Sequence, residues 1–283
     1  MCQHVIIIGA AKSGSSSLFQ HLSTHERVNT SAGKEPHFFC DGFYEQYQEE
    51  GTAYRDLWDE EQGDILIEAT TGYTKHPVIT GAPKNMVDSG ISPQIIYIVR
   101  EPISRLRSHV KYMTWRDESI DVDELREVSV VSSMYCSQIQ RYIDTFGIES
   151  VKLVLLDDLA SDPDSCIKDI FRFIGVDPVS IKEDRRENQT REVTNLELML
   201  RSTPIWNLKS LFSETLKSRI RSFWSTFSES PEADVLAGID EERLQAMCED
   251  ALRLEELFDV DLTPWREAMV RSPLLPETKS SDV

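Results

Sequence analysis

The sequence predicts an α/β fold: a central parallel β-sheet flanked by helices in three layers, followed by a helical C-terminal region. Three observations predict it. Short runs that are apolar throughout recur along the chain, as expected for strands buried on both faces. Amphipathic segments of helical period separate them, which is the pattern of parallel strands joined by crossover helices. The first apolar run also passes through a glycine-bearing loop directly into a helix.

Taken in order, Val5–Ile8 is a β-branched run that reads as a buried strand. Ser15–His25 reads as a helix with Leu18, Phe19 and Leu22 on one face. Asp64–Glu68 and Gln94–Val99 are the next two strands. Pro102 suits the first turn of a helix reaching about Trp115, because its missing N–H is not needed there. Ser132–Phe146 is a further helix and Val151–Leu156 a further strand. Asp162 and Pro163 open the next helix as cap and first residue, and Gly175 closes it. From about Ile181 the chain reads as helical and amphipathic, including Leu208–Phe227 and Asp240–Phe258. Residues 1–272 are expected to form a single domain, and 273–283 a disordered tail.

The 283 residues carry 49 acids against 30 lysines and arginines, a net charge of −19. Such a chain lacks the basic footprint of a nucleic-acid binder and would be repelled by an anionic membrane surface. No apolar run approaches membrane-spanning length. The N-terminal run is too short for a secretory signal. The five cysteines are scattered without a C-x-x-C pair, so neither a disulfide framework nor a zinc site is expected. These features predict a cytoplasmic protein with reduced thiols, no nucleic-acid partner and no membrane partner. Positive charge is gathered in one place: Arg100, Arg105, Arg107, Lys111 and Arg116 stand near Glu101 alone. That contrast predicts an anion site.

The stretch Gly9-Ala-Ala-Lys12-Ser13-Gly14-Ser15-Ser16-Ser17 carries the most information. Backbone N–H groups at the start of a helix point into the preceding loop and favour an anion. Gly9 and Gly14 have the spacing of a P-loop, which makes the fold P-loop-like. However, Ser15 occupies the lysine position and the lysine has moved upstream to Lys12. A kinase relies on magnesium to neutralise its phosphates. A sulfuryl donor carries less charge at its terminal group, so lysine, hydroxyls and amides suffice, and no metal is expected.

This loop resembles the 5′-phosphosulfate loop of sulfotransferases that use 3′-phosphoadenosine 5′-phosphosulfate (PAPS), in the carbohydrate (heparan-sulfate-like) and bacterial branch. The resemblance implies that Lys12, Ser13, Gly14, Ser15, Ser16 and Ser17 bind PAPS, with Lys12 also catalytic. A second motif is independent of the first. Arg100 ends a predicted parallel strand, the edge at which open α/β sheets bind ligands, and Ser108 lies about two turns into the next helix. Arginine grips a phosphate bidentately and serine adds a hydroxyl. The pair resembles the family's 3′-phosphate motif. Arg105 and Arg107 are weaker candidates on the same helix.

Between the anchors, Lys34-Glu35-Pro36-His37-Phe38-Phe39 resembles the family's K-E-x-H-F-F segment. The resemblance makes Glu35 the general base for an acceptor hydroxyl. Its apolar neighbours are expected to desolvate the carboxylate. His37 is the rival base, and Lys34 a possible helper. Glu68-Ala69-Thr70-Thr71-Gly72-Tyr73 resembles E-K-[ST]-P-x-Y with Ala69 in place of the lysine. That departure weighs against a heparan-sulfate acceptor and shifts weight onto Lys12. Lys75 is close enough in sequence to reach back, and Thr70 and Tyr73 are candidate wall residues. Glu187-Asn188-Gln189-Thr190 and Leu254–Trp265 resemble later family elements. The implied reaction is sulfuryl transfer from PAPS to a hydroxyl of a carbohydrate or small metabolite. Two alternatives stay open: a kinase-like phosphotransferase, marked by magnesium-dependent ATP turnover, and a non-catalytic nucleotide-binding module. Trp206, Trp224 and Phe227 are candidate acceptor-pocket residues and, equally, candidates for core or an oligomer face.

Overall fold

A computed structural model describes residues 2–58, 63–117, 119–180 and 235–271. Met1–Ile181 and Gly238–Val283 form one compact unit, and Lys182–Ala237 a second that lies almost wholly outside the described residues. The single domain expected over 1–272 therefore extends beyond what is described. So do the tail, the helix Leu208–Phe227, the Asn188 element, Trp206, Trp224 and Phe227.

The first unit holds five parallel strands: β1 (Gln3–Gly9), β2 (Val28–Thr30), β3 (Ile65–Ala69), β4 (Gln94–Val99) and β5 (Val151–Leu155). Their order across the sheet is β2-β3-β1-β4-β5. Helices α1 (Ser15–Leu22), α2 (Phe43–Glu50), α3 (Ala82–Asp88) and α4 (Pro102–Arg116) lie between the earlier strands and after β4. They are followed by α5 (Val122–Ser132), α6 (Tyr135–Phe146), α7 (Leu156–Ser161) and α8 (Pro163–Phe173). After the undescribed stretch come α9 (Glu241–Leu252), α10 (Leu254–Phe258) and α11 (Thr263–Arg271).

The α/β, three-layer expectation holds. Alternate strand residues (Val5 and Ile7, Ile65 and Ile67, Ile96 and Ile98) pack with Leu18 and Leu22 of α1 and with Ile167, Ile170 and Phe171 of α8. Ile6, Ile8, Ile95 and Tyr97 are equally buried on the opposite face, towards α6. Burying a side chain of this size contributes about 1.5–3 kcal/mol, so the doubly covered strands hold the sheet together. Among the described residues no helix is long and apolar enough to cross a membrane.

Several elements differ from expectation. The strand β2 and the helices α2, α3, α5 and α7 were not foreseen. The helix expected from Ser132 starts instead at Tyr135, because α5 runs to Ser132 and the chain turns at Ser133 and Met134. Asp240–Phe258 is broken at Arg253. By contrast, Asp162 caps α8 through the Ser165 N–H at 3.1 Å, and Gly175 leaves it at φ 76°, as read from sequence.

β1 lies between β3 and β4. The chain leaves β1 towards one edge of the sheet and leaves β4 towards the other. Their carboxyl ends thus form the topological switch point, where a ligand crevice opens.

Candidate functional site

The loop after β1 is fixed by close packing on both sides. Gly9 stands at φ 148°, and a Cβ there would run into the Thr74 hydroxyl, which donates to the Ile8 carbonyl at 3.1 Å. Gly14 stands at φ 91° as the residue before α1, and a Cβ there would meet Leu156 Cδ1 at 2.7 Å. The first turn of α1 has no side-chain cap and no acid, leaving its N–H groups for an anion. Ser13 and Ser15 are buried in the loop, while the Ser16 and Ser17 side chains are exposed.

The second anchor leaves the same edge. The Ala10 N–H donates to the Ile98 carbonyl at 2.5 Å, so the loop and the end of β4 are stitched together. Arg100 follows at once, half-buried, and Ser108 is half-buried on α4. Glu101 is committed to α4 itself: its carboxylate accepts from the N–H groups of Ile103 at 2.9 Å and Ser104 at 2.6 Å. The Tyr135 hydroxyl donates to the Arg100 carbonyl at 2.7 Å, and the Trp265 ring lies 6.1 Å from that of Tyr135. Trp265 in turn donates to Asp157 at 3.0 Å, so the C-terminal helix braces the arginine's backbone.

Lys12, at φ 67°, places its ammonium 4.1 Å over the ring of Tyr112, four residues beyond Ser108 on α4. It therefore stands between the loop and the arginine helix. Of the weaker candidates, Arg107 is exposed, whereas Arg105 is fully buried and donates to the Ala11 carbonyl at 3.4 Å.

The acceptor-side segment is tied to the end of β3. The Glu35 N–H donates to the Ala69 carbonyl at 2.9 Å, and the Thr71 hydroxyl donates to Glu35 Oε2 at 3.1 Å. Lys34 bridges the two halves of the site, its ammonium 3.3 Å from both Ser15 Oγ and Glu35 Oε1. His37 Nε2 is 3.8 Å from Glu35 Oε2, too far for a hydrogen bond. Burial lowers the His37 pKa, the Glu35 charge opposes that, and Lys75 adds to it, so the imidazole is neutral at neutral pH. Among the described residues four non-glycine side chains have positive φ, and three of them are Lys12, Glu35 and His37. Backbone held in so sparsely populated a region clusters at functional sites.

Two expectations are corrected here. Phe38 and Phe39 do not wall Glu35. They enter an aromatic cluster, with Phe38 stacked on Tyr47 at 4.6 Å and Phe39 lying 4.5 Å from Tyr54. The groups facing Glu35 are Lys34, His37 and Thr71, and its side chain is one-third exposed. Thr70 and Tyr73 are not wall residues either. Both are buried, and both donate to Glu68 at 2.7 Å. Glu68, fully buried, is pushed up to about 7 by burial against these hydrogen bonds.

Sequence reasoning missed Thr71 and His109. His109 lies on α4 with Nδ1 2.7 Å from Ser129 Oγ. Burial first, then the charges of Arg105, Lys75 and Lys12, pushes it down to about 3. His109 therefore lies within electrostatic reach of cations on α4, beyond β3 and in the loop after β1. Lys75 is the cation beyond β3, and its charge reaches both His37 and His109.

Comparison with known proteins fits this geometry. Over 201 residues the chain is 25% identical to mouse (Mus musculus) heparan sulfate glucosamine 3-O-sulfotransferase 3A1 and, equally, to 3B1. Each alignment covers 66% of this chain and 49% of the relative, so the chain spans about half the length of the curated relatives it matches. A sulfotransferase crystal structure from Alicyclobacillus acidocaldarius shares the fold, with a TM-score of 0.63 at 24% identity, covering 94% of this chain and 99% of that one. The family model described as "Sulfotransferase domain" matches residues 2–226. That match takes in β1 to β5 and every loop that carries the site, and the chain belongs to the sulfotransferase domain family.

Proposed function

We propose that this chain, acting as one domain over residues 1–272, transfers a sulfuryl group from PAPS to a hydroxyl of a carbohydrate or small metabolite. One observation carries the reading. The lysine-bearing loop and Arg100 leave neighbouring strands at one sheet edge, and Lys34 joins that loop to Glu35. The carbohydrate class draws support from the names of the mouse relatives.

In this reading Lys12 and Ser13, Gly14, Ser15, Ser16 and Ser17 hold the 5′-phosphosulfate through amides, hydroxyls and one charge. Arg100 and Ser108 hold the 3′-phosphate. Glu35 accepts the proton of the acceptor hydroxyl, and that oxygen attacks sulfur. The bond between sulfur and the bridging oxygen breaks, and its electron pair stays on the 5′-phosphate of 3′-phosphoadenosine 5′-phosphate (PAP). Lys12 and the loop amides stabilise that developing charge. Neutral His37 is the alternative base, although its distance from Glu35 gives the pair no relay. Lys34 keeps the base and loop in register.

The test is turnover of PAPS with a panel of sugar and small-molecule alcohols, run beside magnesium ATP. Transfer from PAPS alone is expected. Lys12→Ala should lower kcat about 10²–10³-fold, the cost of removing one charge-stabilising donor. Near-normal turnover by Lys12→Ala, or phosphoryl transfer from ATP, overturns the proposal.

A further inference from the structure

Arg105 is fully buried in a protein with 19 more acids than bases, yet no carboxylate pairs with it among the described residues. Its guanidinium is held by neutral acceptors only. Nε donates to Ser133 Oγ at 2.6 Å, one terminal nitrogen donates to the Ser129 carbonyl, and the other to the Ala11 carbonyl at 3.4 Å. The ionisable groups that favour its charge are the hydroxyls of Tyr135 and Tyr97, and burial keeps both of these neutral. His109, one turn further along α4, is neutral as well. A buried charge without an opposite charge is costly, and natural proteins keep one only where something compensates it. One of its three acceptors is the carbonyl of Ala11, the residue before Lys12 in the loop after β1.

We infer that Arg105 is the buried counter-charge of the anion bound in the phosphate loop, a positioning residue whose missing acid is supplied by the donor's phosphosulfate. It holds the Ala11 carbonyl turned inward, so that the following amides face the ligand. It also adds a full positive charge beneath them, in a low-dielectric setting that screens it little. Because Arg105 lies on the same helix as Ser108, it joins the loop's position to that of the helix. This inference rests on the donor reading above, but its test separates the two.

The experiment uses the full chain as wild type, Arg105→Met and Arg105→Lys, with thermal midpoints measured alone, with PAP and with inorganic sulfate. For Arg105→Met, the ligand-free midpoint serves as the baseline, because the core loses a buried charge while the Ala11 and Ser129 carbonyls each lose a donor. Its affinity for PAP, measured by calorimetry, should fall about tenfold or more, and the midpoint rise with either anion should shrink. Arg105→Lys keeps the charge and should retain PAP affinity within about threefold; this variant also serves if the methionine form does not fold. A wild type stabilised by sulfate but not by PAP sinks the donor reading and leaves the counter-charge standing if Arg105→Met loses the sulfate response. Equal anion responses in wild type and Arg105→Met, no response in wild type, or a loss in Arg105→Lys as large as in Arg105→Met overturns the counter-charge.

Discussion

The proposed donor half and the proposed acceptor half of the site are held by different kinds of contact. On the proposed donor side, Lys12 follows β1 and Arg100 follows β4 within a few residues. Two neighbouring parallel strands then bring them to one edge, with the Ala10–Ile98 hydrogen bond closing the seam. On the acceptor side, Glu35 lies on an irregular segment between β2 and α2, held from a distance by Ala69, Thr71 and the Lys34 bridge to Ser15. The donor half is therefore set by sheet geometry, and the acceptor half by a few polar contacts.

The largest expected effect tests the acceptor half. Glu35→Gln removes the proposed base while keeping an acceptor for Thr71, and should lower kcat about 10²–10⁴-fold with little change in PAP binding. His37→Ala should cost far less, since its imidazole makes no hydrogen bond to Glu35. Steady-state kinetics on both variants decides which is the base, and the reverse ranking would assign that role to His37.

The donor half should respond in affinity instead. Arg100→Ala should weaken PAP binding about 10–100-fold, the scale of a charge-assisted bond, and Ser108→Ala by only a few-fold. Calorimetry reads both. Equal losses of affinity in Glu35→Gln and Arg100→Ala would erase the contrast between the halves.

Smaller effects concern stability. Glu68 is raised from 4.5 to about 7, so the folded protein holds its proton over a range in which the unfolded chain has released it. Its stabilising contribution is full below 4.5 and is lost as pH rises through about 7. Glu68→Gln should flatten this component, so the wild-type midpoint should fall relative to the variant as pH increases. A constant difference across that range would mean that Glu68 does not titrate there. Last, Asp250 of α9 caps α6, accepting from Cys136 N at 2.9 Å and Ser137 N at 3.1 Å. Asp250→Ala should cost about 0.5–2 kcal/mol in denaturant unfolding, with kcat unchanged.

Legibility followed the range of the interactions. Strands buried on both faces were readable because an uninterrupted apolar run has few other stable places to go; β2, three residues long, offered too little pattern. The helix α6 was readable as a helix but not in its start, because its cap comes from Asp250, more than a hundred residues away. Lys12, Arg100 and Glu35 stood out by motif, whereas Thr71 and His109 carry no local mark and matter only through what packs beside them.

By itself, the sequence determined the parallel α/β layering, the glycine-bearing loop after β1 and the arginine at the end of β4. Each depends on residues close together in the chain and on the few conformations such runs can adopt. Tertiary structure alone decided that Phe38 and Phe39 turn away from Glu35, that Thr70 and Tyr73 serve Glu68, and that Arg105 is buried beneath the loop. Those outcomes were settled by competition among side chains distant in sequence for the same buried space and the same hydrogen-bond partners.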